Sequence, residues 1–170
     1  MTDKQLWLLR HARADAGDKG MDDTDRPLSH DGRDQATRLG QWLAQQDLRP
    51  GLIVSSPAVR ARQTTELICR ALGVDLNHIR YDPGLYLASR NELLGIIEGM
   101  TLPNSSVMLV GHNPGLEELL GWLCPEPLPR TQEGQLLTTA NLARIRIADN
   151  ATPAEGSGQL IDLIRADELA

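Results

Sequence analysis

The chain has 170 residues, 41% hydrophobic and 24% charged, with a formal net charge of -6, aromatics at 3% and no Phe. That length suits a single domain over residues 1–170 with a core of its own, and the near-average composition excludes wholesale disorder. An acidic chain without aromatic stacking platforms is poorly suited to nucleic acid.

In chain order, Leu6-Trp7-Leu8-Leu9 is expected to form a short buried strand that delivers Arg10 and His11 at its carboxyl end. In open α/β sheets ligands bind just outside the carboxyl ends of strands. A guanidinium beside an imidazole there points to anion binding joined to nucleophilic or acid-base chemistry. A Gly- and Asp-rich loop without apolar periodicity follows, from Arg13 to Arg26. Ser29 then caps a helix whose stripe is Ala36, Leu39, Gly40 and Leu43, with Asp31 in its first turn.

Pro50-Gly51 ends that helix, and Leu52-Ile53-Val54 is expected as the second strand. Ser55-Ser56-Pro57 leads into a helix with Ala61, Thr64, Thr65, Ile68, Ala71 and Leu72 on one face. Arg60 therefore sits near a helix N-terminus just beyond a strand's carboxyl end, a natural oxyanion position. Of Arg60 and Arg62, only one can point toward the first site. Gly73 closes the helix, Ile79 to Asp82 forms a short strand, and Pro83-Gly84 turns. Ser89 caps a helix containing Leu93, Leu94, Ile97 and Met100, and Pro103-Asn104-Ser105 separates it from the strand Val107–Val110. That strand ends in Gly111-His112-Asn113-Pro114-Gly115, before a helix carrying Leu116, Leu119, Leu120 and Leu123.

Pro125 to Pro129 is a rigid loop. Asn141 to Ile147 alternates as a half-buried strand, Asp149 to Gly158 is turn-like, and Gln159 to Arg165 is the antiparallel partner. The fold class expected is α/β: a mostly parallel central sheet with helices on both faces and a C-terminal antiparallel strand pair. Cys69 and Cys124 lack metal-ligand spacing and are expected as reduced thiols in helices. His30 and His78 are expected to be exposed, and Trp7, Trp42 and Trp122 to be core or half-buried. The segment Met1-Thr2-Asp3-Lys4 shows no signal-peptide pattern, and no stretch reaches the ~18 apolar residues of a membrane span. A cytoplasmic protein without membrane contact is expected.

Three turns at one sheet edge thus carry Arg10 and His11, Arg60, and His112. A neutral imidazole can attack phosphorus and form a covalent phosphohistidine, while guanidiniums clamp the non-bridging oxygens. A second imidazole, if protonated, adds a donor to the developing charge. This scheme requires no metal or cofactor, and the sequence has neither a P-loop nor a paired-carboxylate metal motif.

The chain resembles the histidine phosphatase superfamily, and most of it resembles the small SixA-type phosphohistidine phosphatases. The resemblance rests on Leu8-Leu9-Arg10-His11, on Arg26-Pro27-Leu28-Ser29 with Gly32, on Ser55-Ser56-Pro57 with Arg60-Ala61 and Gln63-Thr64, and on Val110-Gly111-His112-Asn113. It implies a phosphoglycerate mutase-like fold with His11 as a transiently phosphorylated nucleophile. It further implies that Arg10, Arg60 and His112 complete the phosphate pocket, with Ser56 as an extra donor or a structural cap. Asn113 shapes its turn. The family signature has Gly where this chain has Ala12, which fits provided φ stays negative.

Members that cleave alkyl phosphates carry a Glu between the second Arg and the second His, and Tyr81 to Leu87 offers none. Asp82 is read as a turn residue there, with Glu92 and Glu98 facing solvent. An alkoxide benefits from a positioned proton donor, whereas imidazole, with a conjugate-acid pKa of about 6.5, leaves without one. The expected substrate is therefore phosphohistidine on a protein partner, handled by a monomeric phosphatase. The alternatives are a phosphatase for small phosphomonoesters and a non-catalytic phosphate-binding module. The module would be marked by loss of His11 or one Arg, and none is lost.

Overall fold

Six strands form one sheet among the residues described by the computed structural model, which are 4–100, 106–148 and 152–170. They are β1 (Lys4–Arg10), β2 (Leu52–Ser55), β3 (Ile79–Tyr81), β4 (Ser106–Gly111), β5 (Asn141–Ile147) and β6 (Gly158–Arg165). Their spatial order is β3-β2-β4-β1-β5-β6. β3, β2, β4 and β1 run parallel, and β5 and β6 are antiparallel to their neighbours. The fold is α/β as expected. The turn at Pro103-Asn104-Ser105, residues 1–3 and the first part of the Asp149–Gly158 segment lie outside the described residues.

β1 reads as a continuous apolar run because both of its faces are covered. Leu6 and Leu8 pack with Val54, Val107 and Leu109 against α3 (Arg90–Glu98) and α4 (Gly115–Leu123). Trp7 and Leu9 point the other way, with Ile53, Met108 and Val110, onto α1 (His30–Gln45) and α2 (Val59–Leu72). The period of two along each strand thus sorts the core into two layers.

Local signals behave as their chemistry requires. Ser29 Oγ accepts from the Gly32 amide at 3.0 Å and donates to the Arg13 carbonyl at 3.2 Å. Gly73 ends α2 in the left-handed conformation (φ 69°). Asp82 accepts from the Gly84 amide at 2.8 Å, the turn role expected of it. His30 and His78 are exposed, Trp7 is buried, and Trp42 and Trp122 are half-buried.

Three expectations need correction. β5 is buried along almost its whole length rather than half-buried, because it lies between β1 and β6 and both its faces are covered. Its Arg144 is taken up by a bidentate pair with Asp162 and lies over the Trp7 ring at 5.4 Å. Cys124 lies one residue past α4 rather than in a helix, whereas Cys69 is in α2; both thiols are free and buried. α3 ends at Glu98, capped by Gly99, so Met100 packs on the core from outside the helix.

Candidate active site

Because β1, β2 and β4 are parallel, their carboxyl ends share one edge, with Arg10 paired to Gly111 and Ser55 to Val110. Chain continuations from that edge bring Arg10, His11, Ser56, Arg60 and His112 together, although they are up to 102 positions apart in sequence. Arg60 is 4% exposed, while Arg62, two residues on, faces solvent.

The His11 backbone is pinned from two sides. Its amide donates to the Gly111 carbonyl at 3.1 Å, and its carbonyl shares the Ala140 amide with that of Arg10. The imidazole Nδ1 lies 2.8 Å from the Ala12 carbonyl, which can only accept, so Nδ1 carries the proton. Nε2 is left with its lone pair, toward which Arg60 Nε donates over a long 3.4 Å. Burial, with Arg60, Arg10 and Arg26 nearby, pushes His11 down to about 4 against the opposing pull of the Ala12 bond. The ring is neutral at pH 7 with its bare nitrogen facing the guanidinium.

His112 stands 5.1 Å from His11, centroid to centroid. Its Nε2 is 2.8 Å from Ser56 Oγ, which also accepts from the Ala58 amide at 3.3 Å, so Ser56 holds His112 and the turn before α2, while the N-cap position itself is Ala58. Burial first, then His11 and Arg60, lower His112 to about 3. The second imidazole is thus neutral in the free protein, and its donor is a single N–H rather than an imidazolium. Arg10 Nη1 donates to the Leu137 carbonyl at 3.1 Å, and Asn113 Nδ2 holds the same oxygen at 2.8 Å. Leu136 and Leu137 are fixed in turn by Glu117 Oε1, which accepts both of their amides.

Among the described residues, the buried side-chain polar atoms without a partner are Arg10 Nε, His112 Nδ1 and Asn113 Oδ1. All three lie at the carboxyl ends of β1 and β4 or within two residues of them. Buried polar groups are ordinarily paired, so an unpaired guanidinium nitrogen and an unpaired imidazole nitrogen at one sheet edge mark a place prepared for an anion. A separate cavity of about 380 Å³ opens where β1 and β4 begin, beside Leu6, Ile97 and Val107, and none of these basic residues lines it. Among the described residues no cluster of His, Cys, Asp or Glu is arranged to hold a metal ion.

The other matched motif positions act on backbone. Thr64 Oγ1 accepts from the Ala12 amide at 3.0 Å and donates to the Arg60 carbonyl at 2.7 Å. Gln63 accepts from the Leu28 amide at 2.8 Å. A Cβ at Gly32 would lie 1.9 Å from the Arg13 carbonyl oxygen, which is why glycine stands there. Ala12 is fully buried and is absent from the residues with positive φ, so its methyl fits in the signature's glycine position.

Two residues at the site went unnoticed in the sequence. Asp23, in a 3-10 turn of the long loop, receives Arg60 Nη2 at 2.9 Å on Oδ2, Arg60 Nη1 at 2.7 Å on its carbonyl, and Arg26 Nη1 at 2.9 Å on Oδ1. Tyr86 donates its hydroxyl to the same Oδ2. The Tyr86 ring stands edge-on to His112, 5.4 Å between centroids, with the Arg60 guanidinium 6.0 Å from its centre. These bonds, that of Tyr86 foremost, hold the Asp23 carboxyl well below the usual carboxylate range. Asp23 was one of five aspartates in a featureless loop, whereas Tyr86 lay within the segment searched for an acid.

The sequence model of the Histidine phosphatase superfamily (branch 1) matches residues 6–102. Phosphohistidine phosphatase SixA of Escherichia coli K12 is 27% identical over 153 residues, 86% of this chain and 87% of that one. A broad-specificity phosphatase of Saccharomyces cerevisiae is 28% identical over 113 residues, 65% of this chain but 47% of its own length. An uncharacterized chloroplastic protein of Arabidopsis thaliana is 33% identical over 128 residues, 71% of this chain and 59% of its own, so the chain spans about half the length of these last two relatives. A crystal structure from Agrobacterium tumefaciens, assigned as a SixA phosphohistidine phosphatase, superposes with a TM-score of 0.74 at 33% identity, covering 95% of this chain and 97% of that one.

Proposed function

The chain belongs to the histidine phosphatase superfamily, and from that premise we propose that it is a phosphatase that removes the phosphoryl group from phosphohistidine on a protein partner, with His11 as nucleophile. The observation that carries this reading is the fixed tautomer of His11, with Nδ1–H bound to the Ala12 carbonyl and Nε2 bare in a cationic pocket.

The proposed reaction has two steps. The Nε2 lone pair of His11 forms a bond to phosphorus while the phosphorus–nitrogen bond of the substrate breaks, its electron pair returning to the substrate ring. If the other nitrogen of that ring already carries a proton, the ring leaves as neutral imidazole. Water then attacks the phosphorus of His11, its electron pair forming the new oxygen–phosphorus bond, and dihydrogen phosphate leaves a neutral imidazole behind. Neither step calls for a proton from the protein. Arg10, Arg60 and His112 hold the non-bridging oxygens in this reading, and Ser56 sets His112.

The substrate preference is supported by Asp23. Its carboxyl is held ionised by Tyr86, Arg60 and Arg26, so it has no proton to offer a departing alkoxide. A leaving imidazole needs none. A small phosphomonoester is the second reading, favoured by the yeast relative's broad-specificity description. The proposal includes a cytoplasmic placement, with which two free, buried thiols are in keeping. Among the described residues no helix is long and apolar enough to cross a membrane.

The experiment compares the wild type with His11→Ala on a phosphohistidine-bearing protein and on an aryl phosphate, without added metal. Faster clearance of phosphohistidine by the wild type, with an inactive variant, is the expected result. Preference for the ester would leave the nucleophile in place and favour the second reading, and an active variant would remove His11 from the mechanism.

A further inference from the structure

The groups around the pocket close a circuit. His11 Nε2 faces Arg60 Nε, Arg60 Nη2 reaches Asp23, Asp23 receives Tyr86, Tyr86 abuts His112, and His112 stands beside His11. Displacement at phosphorus is in line, so the departing atom lies across the phosphoryl group from the attacking nitrogen. In this circuit Asp23 and Tyr86 are the members two links from His11, reached through Arg60 and His112. One is a carboxylate with a side chain 44% exposed, and the other a half-exposed aromatic ring.

We propose that Asp23 and Tyr86 form the leaving-group subsite, matched to a flat cationic ring: Tyr86 offers the aromatic wall and Asp23 the anionic acceptor for the N–H of a phosphoimidazolium. This rests on the phosphohistidine reading above and extends it, because it assigns the preference to two residues rather than to the lack of an acid. The substrate ring must be protonated on its remote nitrogen to leave as neutral imidazole. A carboxylate beside that nitrogen favours the protonated form, and the same carboxylate repels the oxygen of a departing alkoxide or phenoxide. Asp23 suits this task because four hydrogen bonds fix its position, three on its carboxylate oxygens and one on its carbonyl. Tyr86, bonded to it, keeps the wall upright against His112.

The test measures kcat/KM for phosphoimidazole and for p-nitrophenyl phosphate in the wild type, Asp23→Asn, Tyr86→Phe and Tyr86→Ala. Asp23→Asn should lower the ratio of phosphoimidazole to aryl-ester kcat/KM by roughly 10- to 100-fold, the worth of a charge-assisted hydrogen bond, over any loss that both substrates share through Arg60. Tyr86→Ala should lower the same ratio, with Tyr86→Phe keeping most of it. Equal losses on both substrates would reduce the pair to supports for Arg60 and overturn the proposal, as would no loss on either.

A second readout needs no variant. By microscopic reversibility, imidazole added to wild type turning over the aryl ester should capture the phosphoryl group from His11 as phosphoimidazole, seen by 31P NMR. The capture should saturate with imidazole concentration, whereas a strictly linear dependence, or none, would overturn the subsite. Failure of the wild type to hydrolyse phosphoimidazole while it cleaves the aryl ester would instead refute the underlying phosphohistidine reading.

Discussion

Arg60 directs its Nε–H at the lone pair of His11 Nε2 across 3.4 Å and holds Asp23 with its two terminal nitrogens. One guanidinium thereby orients the attacking atom and the far rim of the pocket together. Lysine, a single point of charge, cannot do both. Arg60→Lys should lower kcat/KM by about 10²- to 10³-fold on any phosphoryl substrate, as loss of a transition-state donor does. Steady-state kinetics against wild type checks this, and near-normal activity would show that charge alone suffices.

Rapid quench of 32P-labelled substrate into alkaline detergent should trap label on the wild type, stable in alkali and lost in acid, mapping to the peptide that contains His11. His11→Asn keeps a polar atom near the Nδ1 position and removes Nε2, so it should trap nothing and lose at least about 10³-fold in turnover. Label retained on the variant would place the nucleophile elsewhere.

Titration separates the two buried imidazoles from ordinary ones. With His11 pushed down to about 4 and His112 to about 3, their ring resonances should stay unmoved through pH 6.5, where a free histidine changes. The sign for stability follows. The unfolded chain takes up these protons below about 6.5 and the folded one does not, so stability is full above that pH. It should fall as the pH drops toward 4 and then 3. Asp23, held below 3.8 in the folded state, stabilises fully above that value, and its share is lost only as the pH falls below it. Chemical denaturation between pH 7 and 4 checks the slope, which His112→Asn should flatten.

Gly115 starts α4 where a Cβ would lie 1.9 Å from the Ala88 carbonyl oxygen. Gly115→Ala should destabilise by roughly 1–3 kcal/mol through forced backbone movement, lowering Tm by several degrees. Since α4 carries Glu117, which fixes the Leu137 carbonyl under Arg10, activity at low temperature should fall as well. Thermal melts and kinetics on one preparation test the pair of effects.

How far the sequence reached depends on the range of each interaction. β1 and β4 were legible as unbroken apolar runs, and α1 from Ser29 onward, because these signals are local. Arg10, His11, Arg60 and His112 were legible because each sits within a few residues of a recognisable strand end. β5 was misjudged: alternation reports one covered face, but Arg144 is buried through its pairing with Asp162, 18 residues away. Asp23 was beyond reach for the same reason. Asp15, Asp18, Asp22, Asp23 and Asp25 are equivalent in pattern, and only a guanidinium 37 positions along the chain selects one of them.

The strand order has a consequence for how the molecule comes into being. β1 precedes the other five described strands in the chain, yet it lies inside the sheet, flanked by β4 and β5, which are made about a hundred residues or more later. A nascent chain that has emerged only as far as α2 already carries His11, Arg10 and Arg60 and has nowhere to put them. The amide of Ala140, which clasps the Arg10 and His11 carbonyls, is synthesised 129 residues after His11. The proposed nucleophile is thus translated long before the residues that seat it, so incomplete chains on the ribosome carry Arg10, His11 and Arg60 without the pocket they form together.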